Sequence, residues 1–236
     1  AVGAVILAVA AGAVAFQLTR DEAAAGASGA IVLDPRTGDA LDAVPLGSAP
    51  SSVTVGAGGV WVLDSNDRTI AKLDPDTREV VRTFSTTFVP TDIAAGADAL
   101  WVANGPATTS GETGEVFAAS VSRVDPETGE VDRTIQLPRG PGGHLFAVLP
   151  GLSRQYIAVT HDAVWAINGG LTVSRIDTRT NRLVATVRNV RAENISAGEG
   201  DVWVTEGSSV VQIDPGSNRV SRRIQVDAEY LAGVAV

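Results

Sequence analysis

The sequence predicts an all-β fold assembled from tandem four-stranded units, on three observations. A tryptophan sits inside an apolar triplet at four places: Val60-Trp61-Val62, Leu100-Trp101-Val102, Val164-Trp165-Ala166 and Val202-Trp203-Val204. An apolar-Asp-Pro or apolar-Asp-Thr signature recurs at Leu33-Asp34-Pro35, Leu73-Asp74-Pro75, Val124-Asp125-Pro126, Ile176-Asp177-Thr178 and Ile213-Asp214-Pro215. A strand-like segment follows each signature, at 40–46, 80–85, 131–137, 183–187 and 220–226. Where nothing is inserted the unit returns every ~40 residues, and tandem units of that length with four strands are the mark of a β-propeller. A sandwich with the same number of strands has no reason to repeat at a fixed period.

The elements follow in chain order. Residues 1–16 are apolar or glycine throughout. A bilayer-spanning helix takes about 20 such residues, so residues 1–19 are expected to form a transmembrane helix that begins upstream of the sequence given. Arg20, Asp21 and Glu22 follow without a basic cluster, which places the rest of the chain outside the cytoplasm. The alternative is the apolar core of a signal peptide, with a small-residue cleavage site in the Ala/Gly/Ser-rich tract after it and a secreted product. Residues 20–29 are expected to be linker. Residues 30–236 are expected to hold a partial blade at 30–47, blades at about 50–89, 90–138, 155–190 and 191–226, and a partial blade at 228–236. That makes about five blade equivalents of an incomplete ring.

Within the unit at 50–89 the strands, called a to d, are expected at 52–56, 59–63, 69–73 and 79–83. They are rich in Val, Ile, Thr and Trp and bounded by turn residues. The c–d connections share one grammar, seen in Asp74-Pro75-Asp76-Thr77-Arg78 and Asp125-Pro126-Glu127-Thr128-Gly129. The Asp accepts backbone N–H groups, Pro sets φ, and a closing residue, mostly Gly or Asn, takes positive φ. The Trp of strand b is expected to pack between neighbouring blades.

Composition excludes several functions. The 236 residues include no cysteine, which removes disulfide scaffolds, thiolate zinc sites and a thiol nucleophile. Two histidines leave no His-rich metal site. A formal charge of −9 disfavours a nucleic-acid binder, which needs a basic face. Lys72 is the single lysine beside many arginines, and the Ala/Gly/Val-rich bias points to a bacterial source.

Val55-Gly56-Ala57-Gly58-Gly59-Val60-Trp61-Val62, followed by Ile70-Ala71-Lys72-Leu73-Asp74-Pro75-Asp76-Thr77, resembles the YVTN-type bacterial propeller repeat, which is similar to the repeats of virginiamycin B lyase. The resemblance covers residues 30–236 and implies a propeller. Relatives range from lyases to binding and sensor modules, and some bacterial one-pass proteins carry such a propeller outside a cytoplasmic regulator or kinase.

Two insertions break the period, at 104–119 (between strands b and c) and 138–154 (between strand d and the next strand a). Strand parity puts both on one face, where they would build a raised rim. The residues just before each strand a should ring the channel mouth on that face. Ser52, Asp92, Asn104, His144, Tyr156, Asn194 and Tyr230 are the candidate ligand-binding residues. The leading expectation is a membrane-tethered, extracytoplasmic binding or sensing module without chemistry or cofactor of its own, taking a small polar ligand or a protein partner. The alternative is a lyase or hydrolase of the virginiamycin B lyase type, with His144 as general base positioned by Glu112 or Glu115 and a divalent metal such as Mg. His144 comes from an insertion and matches no repeat position. A third possibility is a structural interaction scaffold. His161 falls in an a–b turn on the opposite face, so the two histidines do not cooperate.

Overall fold

The computed structural model describes residues 5–8, 15–20, 28–34, 36–105, 120–138, 156–168, 171–198, 200–228, 231 and 233–234, with side chains from Gly29 onward. Among the described residues, twenty strands lie in five four-stranded antiparallel sheets, each with its strands in chain order. Blade 1 is β1 (Val5–Ala8), β2 (Ala15–Arg20), β3 (Ser28–Leu33) and β4 (Ala40–Pro45). Blade 2 is β5 (Pro50–Gly56), β6 (Gly59–Asp64), β7 (Thr69–Leu73) and β8 (Val80–Ser85). Blade 3 is β9 (Pro90–Gly96), β10 (Ala99–Asn104), β11 (Ser120–Val124) and β12 (Val131–Gln136). Blade 4 is β13 (Ile157–Val159), β14 (Ala163–Ile167), β15 (Thr172–Asp177) and β16 (Arg182–Arg188). Blade 5 is β17 (Asn194–Ala197), β18 (Val202–Glu206), β19 (Ser209–Asp214) and β20 (Arg219–Gln225).

Burial falls across each sheet. Every residue of β10 is buried, whereas β8 is exposed along almost its whole length. A strand b has a neighbouring blade on each face, so it reads as a continuous apolar run. A strand d has a solvated edge and carries charges such as Arg82, Arg133 and Arg222, which discourage edge pairing. The apolar core is a series of seams between blades. Ala30, Val32, Val53 and Val62 join blades 1 and 2; Trp61 and Leu63 pack with Ile93, Leu100 and Val102 between blades 2 and 3. A larger cluster, including Trp101, Ile157, Trp165 and Ile195, continues through blades 3 to 5. The expected inter-blade packing is met by Trp61, Trp101 and Trp165, all fully buried, while Trp203 is half-buried. Trp61 Nε1 donates to the Gly56 carbonyl at 2.9 Å, and Trp101 Nε1 to that of Gly96 at 3.1 Å.

The c–d turns follow the expected grammar. Asp74 Oδ1 accepts the N–H groups of Asp76 and Thr77, and Asp125 Oδ1 those of Glu127 and Thr128. Arg78, Gly129, Asn181 and Asn218 close their turns with φ between 54° and 75°. Backbone N–H groups, with Thr77, Thr128, Thr180 and Ser217 each contributing most, hold the carboxyls of Asp74, Asp125, Asp177 and Asp214 below their ordinary range.

Where a helix was expected over residues 1–19, the described backbone forms β1 and β2, which complete the sheet of β3 and β4. The segment at 30–47 is therefore the outer half of a four-stranded blade. The physical reason is that the apolar run of residues 1–16 contains β1 and the start of β2, and hydropathy alone does not separate such a run from a membrane helix. The pairing register makes the assignment specific. Phe16 stands opposite Val32 as Trp61 stands opposite Lys72, in each case one residue before the Leu of the Asp-Pro signature, so Phe16 takes the tryptophan station of blade 1. The strand expected at 230–236 falls largely outside the described residues; Leu231 N–H donates to the Gly207 carbonyl at 3.2 Å.

The insertion-bearing face as candidate functional site

Both insertions leave the same end of the blades. Asn104, the last residue of β10, stands opposite Ser120, the first of β11, and Ser120 stands opposite Gln136, the last of β12. The a–b and c–d turns, with exposed His161 among them, lie at the other end. Residues 106–119 and 139–155 are outside the described residues, and so are His144, Glu112, Glu115 and Tyr230. Among the described residues no group of three His, Cys, Asp or Glu side chains is placed to hold a metal ion.

Four candidate residues occupy one station of the repeat. Ser52, Asp92, Tyr156 and Asn194 each precede the apolar residue that pairs with the residue after the Trp, namely Val53, Ile93, Ile157 and Ile195. The structure brings the first three together through Asp92. Asp92 Oδ1 accepts from Ser52 Oγ of blade 2 at 2.6 Å and from Ile93 N–H at 2.9 Å. Its Oδ2 accepts from the N–H groups of Tyr156 at 2.7 Å and Ile157 at 3.1 Å, both in blade 4. One carboxylate thus ties three blades. It is only 2% exposed, and burial pushes it up to about 6 against the pull of those four donors. Asn194 does not join this knot; its N–H and Nδ2 point to Thr205 Oγ1 of its own blade.

A second station, which sequence reasoning did not single out as a set, lies three residues after each Trp: Asp64, Asn104, Asn168 and Glu206. Three of the four fasten the chain crossing into their own blade. Asp64 Oδ2 accepts Ala49 N–H at 2.7 Å, Asn168 Nδ2 donates to the Pro138 carbonyl at 2.6 Å, and Glu206 Oε1 accepts Arg191 N–H at 2.8 Å. Gly47 permits the first of these, because a Cβ there would lie 2.1 Å from Asp64 Oδ2. Asn104 turns instead to Ser120 Oγ at 3.0 Å and Ser122 Oγ at 2.9 Å, at the stem of the first insertion. The signal was present in the sequence as Trp-x-x-Asp, Trp-x-x-Asn (twice) and Trp-x-x-Glu. A cavity of about 160 Å³ between blades 1 and 2 is lined by Leu46, Pro50, Asp64, Thr69 and Thr83; that is small beside the roughly 300 Å³ or more of a usual ligand pocket.

No protein-family profile matches the chain, and no curated protein matches it in sequence. Solved structures do match in shape. The Pan2 WD40 domain of Neurospora crassa superposes with a TM-score of 0.66 at 10% identity, over 97% of this chain and 66% of that one. Kuenenia stuttgartiensis hydrazine synthase gives 0.64 at 13% identity, over 91% and 64%. BamB from Moraxella catarrhalis gives 0.60 at 18% identity, over 97% and 66%. The fold is a β-propeller. The chain spans just under two thirds of the length of these structures.

Proposed function

We propose that this propeller is a non-catalytic binding module that takes a small polar ligand or a protein partner on its insertion-bearing face. The observation that carries this reading is the emergence of both insertions from one end of adjacent blades, over the polar station of Ser52, Asp92, Tyr156 and Asn194. Loops mounted on a rigid scaffold are where binding residues concentrate. Kinship with YVTN-type and virginiamycin B lyase-like repeats belongs to the same proposal, supported by the motifs at 55–62 and 70–77. So does a bacterial source, supported by the Ala/Gly/Val-rich composition and by arginine standing almost everywhere in place of lysine.

The test is a thermal-shift screen of small polar metabolites on the full chain and on a variant with residues 106–119 replaced by a short Gly-Ser turn. Ligands of this face raise the melting temperature of the full chain and lose that effect in the variant. Ligands that stabilise both equally bind elsewhere and refute the reading.

A further inference from the structure

Building on that reading, we infer that Glu193 is the anchor for a cationic group, an ammonium or guanidinium, at the insertion-bearing mouth. Glu193 immediately precedes Asn194 and occupies the station filled by Ser51 in blade 2 and Thr91 in blade 3. Those two hydroxyls are used internally: Ser51 Oγ donates to the Leu63 carbonyl at 3.3 Å, and Thr91 Oγ1 to the Ala103 carbonyl at 3.0 Å. Leu63, Ala103 and Thr205 are themselves equivalent, standing opposite Ser52, Asp92 and Asn194. In blade 5 the Thr205 carbonyl accepts the backbone N–H of Glu193 at 2.9 Å instead. The repeat's donor has been replaced there by a group that, when ionised, can only accept.

That acceptor is left unmatched. Glu193 is 8% exposed, and its Oε2 is buried with no hydrogen-bond partner among the described residues. A buried polar atom without a partner is destabilising, and more so when charged. The repeat has a cheaper solution, a hydroxyl, at two sister positions. Three other acids of this end are supplied from within: Asp64 and Asp92 by backbone N–H groups, and Glu206 by Arg191 N–H and Arg223 Nε. Asn104 Oδ1, at the stem of the first insertion, is a second buried acceptor on this face with no donor among the described residues. Unmatched acceptors call for a ligand that brings donors and positive charge. A lone carboxylate suits an ammonium or guanidinium better than a divalent metal, which takes four or more ligands. The overall charge of −9 favours encounter with such a ligand.

The cationic group can belong to a free amine or to a Lys or Arg side chain of a partner, and two probes separate these sources. Calorimetric titration of the full chain uses agmatine for the first and a Gly-Arg-Gly peptide amide for the second, with 1,4-butanediol as the uncharged control. Expected are binding of a cationic probe at millimolar concentration or below, no binding of the diol, and loss of about tenfold or more in affinity in Glu193→Gln. Tighter binding of agmatine points to a free amine, and tighter binding of the peptide to a partner side chain. Glu193→Ser restores the sister hydroxyl; it should match or exceed the parent in thermal stability while losing cation binding. The inference is overturned if neither cationic probe binds, if Glu193→Gln binds as the parent does, or if Glu193→Ser is destabilised and still binds. If the variant lacking 106–119 loses metabolite binding while Glu193→Gln does not, the binding-module reading stands and the Glu193 assignment falls.

Discussion

Asp92 offers the most quantitative test of the structure. Its folded-state value of about 6 lies above the ordinary 3.8 because burial disfavours the charged form more than four hydrogen bonds favour it. Between those values the folded protein holds a proton that the unfolded chain releases. The contribution is therefore fully present below 3.8 and is lost as pH rises through about 6. At about 1.4 kcal/mol per pH unit the difference amounts to about 3 kcal/mol. Asp92→Asn keeps the shape and removes the titration. Chemical denaturation followed by tryptophan fluorescence at a series of pH values gives the stability of each protein. The parent should gain about 2.4 kcal/mol over the variant on going from about pH 7.5 to about pH 4, the remainder appearing only below 3.8. A difference that stays constant within about 0.5 kcal/mol across that range refutes the reasoning.

The turn carboxylates act in the opposite sense and in a different window. Asp74, Asp125, Asp177 and Asp214 are held below their ordinary value, so their contribution is present above 3.8 and is lost on acidification through the lowered values. Asp177→Asn should lessen the acid limb of the denaturation profile while leaving the limb around pH 6 unchanged. Asp64→Ala removes acceptors from the N–H groups of Ala49 and Asp67 and should cost about 2–4 kcal/mol in denaturation midpoints. Gly47→Ala drives a Cβ against that same carboxylate and should cost about 1–3 kcal/mol by the same measurement. Deleting residues 1–20 removes the strand that pairs with β3, so circular dichroism should report lost β-structure and a lower melting temperature. A membrane anchor followed by a linker would instead leave the folded remainder unchanged.

What the sequence made legible was whatever the repeat states several times. The Trp stations and the Asp-Pro turns work through local backbone chemistry, and recurrence at ~40 residues separates them from chance. The strands at 5–8 and 15–20, where a helix was expected, were not legible, because their blade lacks the tryptophan and an apolar run reads the same in a membrane helix. Phe16 becomes recognisable only once the register aligns it with Trp61. The clamp three residues beyond each Trp was present in the sequence but its chemistry varies among Asp, Asn and Glu, which obscured it. The Asp92 knot was not legible. It depends on N–H groups more than sixty residues away, and nothing at Tyr156 or Ile157 announces a backbone donor. At the opposite end, Lys72 lies 5.1 Å from the Trp61 ring and reaches Glu127 of the next blade, while Arg175 lies over Trp165 and reaches the Pro215 carbonyl of blade 5. These bridges depend on which residue the neighbouring turn carries, a pairing visible only in three dimensions.

The Asp92 knot also bears on how the molecule comes apart. In a stack of repeats, stability is ordinarily a sum of unit terms and nearest-neighbour terms, so units fray from the ends one at a time. A carboxylate shared among blades 2, 3 and 4 does not divide into such pairs. Withdrawing blade 2 removes Ser52, withdrawing blade 4 removes two N–H groups, and either leaves a buried charge short of donors. The central three blades should therefore exchange their amide protons through one shared opening in native-state hydrogen exchange, and blades 1 and 5 through separate ones.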